Sequence, residues 1–364
     1  VTTVHRRTLR KPDGRCLHLY AARPLPQDLA APSAGTEPWH PDSHLRWHPL
    51  RGEWVVYATH RQRRTFLPSA EQNPLAPARD AAHPTEVPGG PWDVAVFDNL
   101  FPALSPQAHA PPAEIVATAP GRGACEVVVF TQDPRGSLGR LPLWHLELLF
   151  EVWAERTQAL GARADVQYVF PFENRGVEVG VTLPHPHGQI YAYPFVPPIA
   201  QRELQMQREH FQRTGRGLLE QLIAAELDDG RRVLYRGGAA AAFVPVCARY
   251  AYEVWVAPVR PVPGLAQLDE GERTDFARAL KTVLLKLDGL WGVPMPYVLA
   301  FHQAPTDGAA HPEAHVHVQI YPPYRMRGRL KYLAGSELGA GVFTADTAPE
   351  ERAAELQSVE VRID

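Results

Sequence analysis

Two hydrophobic rhythms alternate along most of this chain, one of period two and one of period 3.6, and their order predicts its elements. Val94–Phe97 reads as a short strand and Glu126–Phe130 as another. From about Pro142 the apolar positions fall at Leu146, Leu149, Phe150, Trp153 and Leu160, which is helical spacing. Val166–Phe172 returns to a strand pattern. A Gly-containing loop follows, and then a run that carries His185, His187 and Gln189 into the apolar Ile190–Phe195. The chain then says the same thing again. Tyr252–Ala257 reads as a strand, and Asp269 with Glu272 three residues on resembles a capping box opening a helix. That helix has the stripe Phe276, Leu280, Val283, Leu284 and Leu287; Tyr297–Phe301, a Gly-containing loop and Ala314–Tyr321 complete the second unit. Both units close on His-x-His-x-Gln-Ile-Tyr in one register, which indicates an internal duplication.

The flanking segments are less regular. Leu45–Tyr57 reads as a hairpin turning near Arg51-Gly52, and it delivers a basic cluster, His60-Arg61-Gln62-Arg63-Arg64. Residues 68–92 are a Pro/Ala-rich loop. Residues 198–228 read as a polar connecting helix whose weak stripe puts it across a sheet edge, and a last helix spans about Pro349 to Ser358. Residues 1–45 carry turn signals with little periodicity and are expected to wrap the surface as an extension, at a subunit contact in one reading. The expected class is α+β, a mainly antiparallel sheet with helices packed on it. The divisions are 1–45, 46–197 and 198–364.

Composition narrows the function classes. An apolar fraction of 45% over 364 residues supports real cores, so a disordered chain is excluded. A formal charge of −3 and a pI near 6.6 offer no basic field for nucleic acid. No apolar run approaches the ~18 residues needed to span a bilayer, and residues 1–24 lack the apolar core of a signal peptide. The cysteines, Cys16, Cys125 and Cys247, are widely separated and odd in number; free thiols and a cytoplasmic setting are the expectation.

The chemistry concentrates at Leu183-Pro184-His185-Pro186-His187-Gly188-Gln189-Ile190-Tyr191. In an extended run His185, His187 and Gln189 share one face. A histidine there can attack phosphorus and form a labile phosphoramidate, and an amide can bond a phosphoryl oxygen without adding negative charge. The bland alternatives are a pair of strand histidines or half a metal site. Arginines three apart after a strand, Arg61 and Arg64, suit a diphosphate, although such clusters are commonly solvated faces.

With the duplicated units in view, the chain resembles the galactose-1-phosphate uridylyltransferases of the histidine-triad superfamily, from about Leu45 to its end. The motifs that carry the likeness are Phe172-Glu173-Asn174-Arg175-Gly176, His185-Pro186-His187-Gly188-Gln189, Tyr321-Pro322-Pro323 and Lys331-Tyr332-Leu333-Ala334-Gly335-Ser336-Glu337, in that order. The resemblance implies two fused histidine-triad-like units, a homodimer, and ping-pong transfer of a uridylyl group from UDP-glucose to galactose 1-phosphate. It implies His187 as nucleophile and Gln189 at the phosphoryl oxygens. Asn174, Thr182 and His185 would lie around the nucleotide phosphates, Arg61 and Arg64 would bind phosphate, and Asn99 would lie in a nucleotide-contacting loop. Lys331 and Glu337 would reach the sugar phosphate and hexose hydroxyls, in the family from the partner subunit.

Two departures from the family pattern bear on metals. The structural zinc that many members hold with a CxxC pair and two histidines would need ligands where Asn73, Ala76 and Pro134 stand, leaving only His185; that site is expected to be replaced by packing or hydrogen bonds. The second site, for iron or zinc, retains Glu203, His302 and His317, but Gln319 stands at the fourth position, and His315 is a substitute on the same face. Two histidines at i and i+2 on a strand are also common as plain surface pairs; a metal held there is expected to be structural and not catalytic. The rival function keeps the chemistry and changes the substrates to ADP-sugars or dinucleoside polyphosphates. A hydrolase of the superfamily has a third histidine where Gln189 stands, and an amide cannot act as its general acid. A nucleotide-binding module without turnover is the third class.

Overall fold

The computed structural model describes residues 3–33, 39, 41–63, 68–79 and 84–363. Its strands and helices follow in the order β1 (His5–Arg10), β2 (Cys16–Ala21), β3 (His44–His48), β4 (Glu53–Tyr57), β5 (Val94–Asp98), β6 (Thr118–Pro120), β7 (Ala124–Val129), α1 (Leu143–Gly161), β8 (Tyr168–Arg175) and β9 (His187–Tyr193). There follow α2 (Pro198–Thr214), α3 (Leu218–Asp229), β10 (Val233–Arg236), β11 (Ala240–Phe243), β12 (Val254–Pro258), α4 (Glu270–Gly289), β13 (Tyr297–His302), β14 (His317–Tyr321), β15 (Tyr324–Met326), β16 (Arg329–Leu330) and α5 (Pro349–Gln357). None of the described helices is long and apolar enough to cross a membrane.

The duplication is visible in the sheet. Eleven strands pair in the order β1-β2-β5-β7-β9-β8-β13-β14-β12-β11-β10, all antiparallel. β7-β9-β8 in one half matches β12-β14-β13 in the other, and the halves join edge to edge where Phe172–Arg175 of β8 pair with Tyr297–Ala300 of β13. Fusing the edges of two small sheets removes two exposed edges at once.

The two predicted helices cover one face of this sheet. Asp269 caps α4 by accepting from Glu272 N, with the reciprocal bond from Asp269 N to Glu272, as the spacing predicts. Phe150 and Trp153 of α1 meet Phe276 of α4 and Phe301 of β13, with ring centroids 4.8–5.4 Å apart for the closest pairs. Rings at that spacing anchor the fully buried core shared by both units.

The N-terminal segment corrects the sequence reading. It does not wrap the surface: β1 and β2 form a hairpin, and β2 extends the main sheet by pairing with β5, Leu17 opposite Phe97. Leu17 and Leu19 are fully buried. The signal is weak because β1 turns Arg6, Thr8 and Arg10 outward over only six positions, and β2 is buried on both faces, so His18 and Tyr20 opposite Leu17 and Leu19 leave no clean apolar alternation. The connector is also corrected. It is two helices, broken where Gly215 takes a left-handed φ of 71°. It covers a sheet face, since Leu219 and Ile223 of α3 pack on Ala241, Phe243 and Ala257.

Candidate active site

The face of β9 opposite the core presents His187, Gln189 and Tyr191, while Gly188, Ile190 and Ala192 are buried behind them. Alternation on a pleated strand makes this division. Gly188 is required by close packing: a Cβ there would stand 2.7 Å from Phe130 Cζ and 2.9 Å from the Phe172 carbonyl oxygen. His187 donates Nδ1–H to the carbonyl oxygen of His185 at 2.7 Å. That bond assigns the proton to Nδ1 and leaves the Nε2 lone pair free. Burial lowers the pKa of His187 from its ordinary value, so the ring is neutral at physiological pH.

His187, Gln189 and Tyr191 line a cleft of about 240 Å³. Arg61, Asn99, Asn174 and Thr182 line it too, so the structure brings these sequence-predicted residues together around His187. Arg61 enters from the short helical turn Thr59–Arg63; its Nη1 donates to Phe101 O at 2.9 Å and to Tyr191 Oη at 3.3 Å. Asn99 Oδ1 accepts from Phe101 N at 2.9 Å, which orients its amide nitrogen away from that turn. Leu75, Phe97, Phe101 and Val127 supply apolar lining. A neutral imidazole, an amide and a guanidinium beside an apolar wall can take an anionic group carrying a flat ring.

Three of the expected residues lie elsewhere. His185 precedes β9 and does not line the cleft; it is buried, with Nε2–H donating to Thr131 O at 2.7 Å and Nδ1 accepting from Asn73 Nδ2 at 2.9 Å. The shared face expected for His185 therefore fails, because the strand starts only at His187. Both ring nitrogens of His185 are engaged in hydrogen bonds, which stand where the family pattern has ligands. Lys331 and Glu337 stand outside the cleft, 3.4 Å from each other, with Lys331 Nζ donating to Thr344 O at 2.6 Å. Arg64 lies outside the described residues.

In the second unit Glu203 of α2 reaches His302 of β13 and His317 of β14, and their ligand atoms lie within 4.8 Å of one another. Glu203 Oε2 is 2.7 Å from His302 Nδ1, and His302 Nε2 is buried without a hydrogen-bond partner. A carboxylate and two imidazoles, one with an orphaned nitrogen, fit a divalent cation. Burial opposes ionisation of Glu203, yet His302, His317 and Gln319 hold its pKa down at about 2. Gln319 donates Nε2 to Glu203 at 2.8 Å and lies 2.9 Å from His317 Nε2. His315 is not one of the converging ligands; its Nε2–H donates to Pro258 O at 2.8 Å.

Sequence reasoning set Asn73 beside His185 through the lost zinc site without naming the bond between them, and it missed Tyr191 as a support for Arg61. Tyr191 was legible as the third residue on the period-two face. Asn73 carried no signal in the chain's own periodicity; only the resemblance, which sets it at a lost zinc-ligand position beside His185, pointed to it.

Residues 36–197 match the family described as galactose-1-phosphate uridyl transferase, N-terminal domain, and residues 203–362 match its C-terminal domain. The chain is 36% identical to the galactose-1-phosphate uridylyltransferase of Thermotoga maritima, over 88% of this chain and 99% of that one. With the enzyme of the same name from Rattus norvegicus it shares 31% identity, over 86% and 87%. A solved uridylyltransferase superposes with a TM-score of 0.78 at 34% identity, covering 87% of this chain and 98% of the other. An ADP-glucose phosphorylase from Arabidopsis thaliana, at 23% identity, 88% and 100% coverage and a TM-score of 0.66, shares the fold. With both halves matched and relatives above 30% identity along most of its length, the chain belongs to the galactose-1-phosphate uridylyltransferase family of enzymes.

Proposed function

We propose that the protein moves UMP from UDP-glucose to galactose 1-phosphate by a ping-pong route through His187. His187 Nε2 attacks the α-phosphorus of UDP-glucose, a P–N bond forms, and the P–O bond to the β-phosphate breaks, releasing glucose 1-phosphate. A phosphate oxygen of galactose 1-phosphate then attacks the same phosphorus, the P–N bond breaks, and UDP-galactose leaves. The observation that carries this reading is the His187 Nδ1–H bond to His185 O, which presents a free Nε2 lone pair at the cleft. A sugar phosphate leaves without prior protonation, so Gln189 needs to act only as a donor to phosphoryl oxygen, and Arg61 neutralises the diphosphate. Asn99, Asn174 and Thr182 hold the nucleotide in the same reading.

Lys331 and Glu337 serve the acceptor sugar phosphate from the partner subunit of a homodimer. Supporting this, they stand outside their own chain's cleft, on an arm whose Tyr332, Leu338 and Val342 are 60–78% exposed. Glu203, His302 and His317 would hold zinc or iron, which when bound ties α2 to β13 and β14; no chemical step uses it. The setting is cytoplasmic, where Cys16, Cys125 and Cys247 remain free thiols.

Intact mass after incubation with UDP-glucose, and again after galactose 1-phosphate, tests the reading. The expected result is a gain of one UMP, lost on adding the sugar phosphate and absent in His187→Gly. An adduct from ADP-glucose but none from UDP-glucose would move the protein to the ADP-sugar class. No adduct from either would overturn the nucleophile assignment.

A further inference from the structure

We propose that Asn73 is a positioning residue for the nucleophile, taking through one amide the place that a metal ion would otherwise fill beside His185. The proposal rests on the reading of His187 given above. Asn73 Nδ2 donates to His185 Nδ1 at 2.9 Å, and its Oδ1 accepts from Leu75 N at 3.0 Å. The second bond fixes which end of the amide faces His185. With Nδ1 of His185 accepting, its proton sits on Nε2 and bonds Thr131 O at 2.7 Å. His185 is thereby held at both nitrogens, on the Asn73 loop and on the segment after β7. Its own carbonyl is the acceptor that fixes His187. Asn73 therefore acts on the reacting nitrogen through two hydrogen bonds and one residue of backbone, without touching substrate.

The loop that carries Asn73 is itself clamped by the N-terminal hairpin, which lies outside the matched family region. Glu86 N donates to Pro74 O at 2.8 Å, and Ala78 N donates to Val87 O at 2.9 Å. Lys11 Nζ donates to Glu86 O at 2.7 Å and also bonds its carboxylate; Arg15 Nη2 reaches Glu86 Oε1 at 3.1 Å and Asp13 Oδ2 at 2.8 Å. Lys11, Arg15, Asp13 and Glu86 are all buried. A buried, fully bonded ion cluster resists opening, because removing one member leaves an uncompensated charge inside. Residues 11–15 thus hold the loop, the loop holds Asn73, and Asn73 holds His185.

The second unit supplies an internal comparison. His315 repeats the carbonyl bond of its Nε2, to Pro258 O, and accepts from His317 Nδ1 at 2.9 Å, but its Nδ1 has no hydrogen-bond partner. Among the described residues the amide brace is present in the first unit and has no counterpart in the second.

Two substitutions separate positioning from filling. Asn73→Ala removes the donor. Asn73→Asp keeps the shape and the Leu75 bond but turns an acceptor toward His185, which can satisfy it while keeping the Thr131 bond only by taking a second proton. The charged group whose field reaches His185 in the native protein is Asp133, in the loop after β7; His187 is the titratable neighbour on its other side. We expect Asn73→Ala to slow formation of the UMP adduct about 10- to 100-fold, with donor KM within about twofold. Asn73→Asp should be slowed less at low pH and progressively more as pH rises and His185 loses its second proton. Nitrogen-15 spectra of the unliganded proteins should show His187 as the single Nδ1–H tautomer in the native chain and as a mixture in Asn73→Ala.

A single Nδ1–H tautomer and an unchanged adduct rate in Asn73→Ala would overturn the proposal. So would an Asn73→Asp variant whose rate follows the native pH profile. If the native protein forms no adduct at all, the function reading fails, while the tautomer spectra still decide the role of Asn73.

Discussion

Replacing Gly188 with alanine tests whether the reacting face of β9 is held by backbone packing. The new methyl would meet Phe130 at 2.7 and 3.1 Å and the Phe172 carbonyl oxygen at 2.9 Å. Phe130 cannot simply swing away, because Trp153 packs edge-on against it at 6.1 Å between centroids. The carbonyl is less free still, since β8 is paired with β9 on one side and β13 on the other. Ordinary contact distances require β8 and β9 to part by roughly 0.5 Å. Overpacking of this kind costs about 1–3 kcal/mol. His187 and Gln189 flank the substituted position, and a displacement near 1 Å at a reacting group costs about 100-fold in rate. The expected outcome is adduct formation slowed roughly 10- to 100-fold, together with a lower urea midpoint. The assay is a mass time course with UDP-glucose beside urea unfolding. A variant that loses stability yet reacts within twofold of the native rate would refute the reasoning, because the strain would then have been absorbed away from His187. Native behaviour in both would refute the close approach itself.

The remaining predictions concern the buried carboxylates and the metal group. Glu173, buried and bonded by Tyr297 Oη at 2.9 Å, has its pKa pushed up by burial to about 7. Its contribution to stability is fully present below an unfolded value near 4.5 and is lost as pH rises through about 7; the gap corresponds to roughly 3 kcal/mol. Glu173→Gln should abolish that part of the pH dependence and be the more stable protein at pH 8.5, as urea midpoints at pH 5.5 and 8.5 would show; an unchanged slope would count against it. At the second unit, elemental analysis should find zinc or iron in the native protein and little in Glu203→Ala. Stripping it should lower the melting temperature while leaving UMP adduct formation within about threefold, a bound set by a site that touches no reacting atom; loss of the adduct with the fold intact would make the metal catalytic.

Much of this architecture was legible because both units announce themselves by period. The stripes Leu146–Leu160 and Phe276–Leu287 place α1 and α4, and the capping pair Asp269/Glu272 marks the start of α4. The face His187, Gln189, Tyr191 follows from strand alternation alone. What period could not show was contact between segments far apart in sequence. The pairing of β2 with β5 was hidden because both strands of the hairpin are short and β1 is rich in charge, so the burial of β2 depends on a partner strand some 75 positions away. His185 was placed on the wrong face because the extended geometry begins two residues later, where pairing with β7 starts. The Asn73–His185 bond and the Lys11–Glu86 clamp are likewise tertiary, and no local pattern encodes them.

The duplication also shows how one scaffold yields two unlike sites. Each unit builds the same device: a histidine that donates Nδ1–H to the carbonyl two residues back, His187 to His185 and His317 to His315, with Nε2 left over. Over His187 that nitrogen faces a cleft, and Gly188 behind it lets β9 sit close on Phe130 and β8. Over His317 the same nitrogen lies 2.9 Å from the Gln319 amide nitrogen, and Glu203 of α2 and His302 converge on the ring, so it faces a metal-ligand group instead of a substrate cleft. Gln319 in turn receives Arg249 Nη2 at 3.4 Å and the Tyr321 hydroxyl. Arg249 lies over the rings of Tyr321 and Phe343 at 5.1 and 5.3 Å, and Phe343 precedes Thr344, whose carbonyl holds Lys331. The second histidine therefore belongs to a chain of contacts ending on the arm that carries Lys331 and Glu337. The geometry that leaves a histidine nitrogen facing a cleft in one unit sets it, once a helix and an amide close over it, against a carboxylate and a second imidazole in the other.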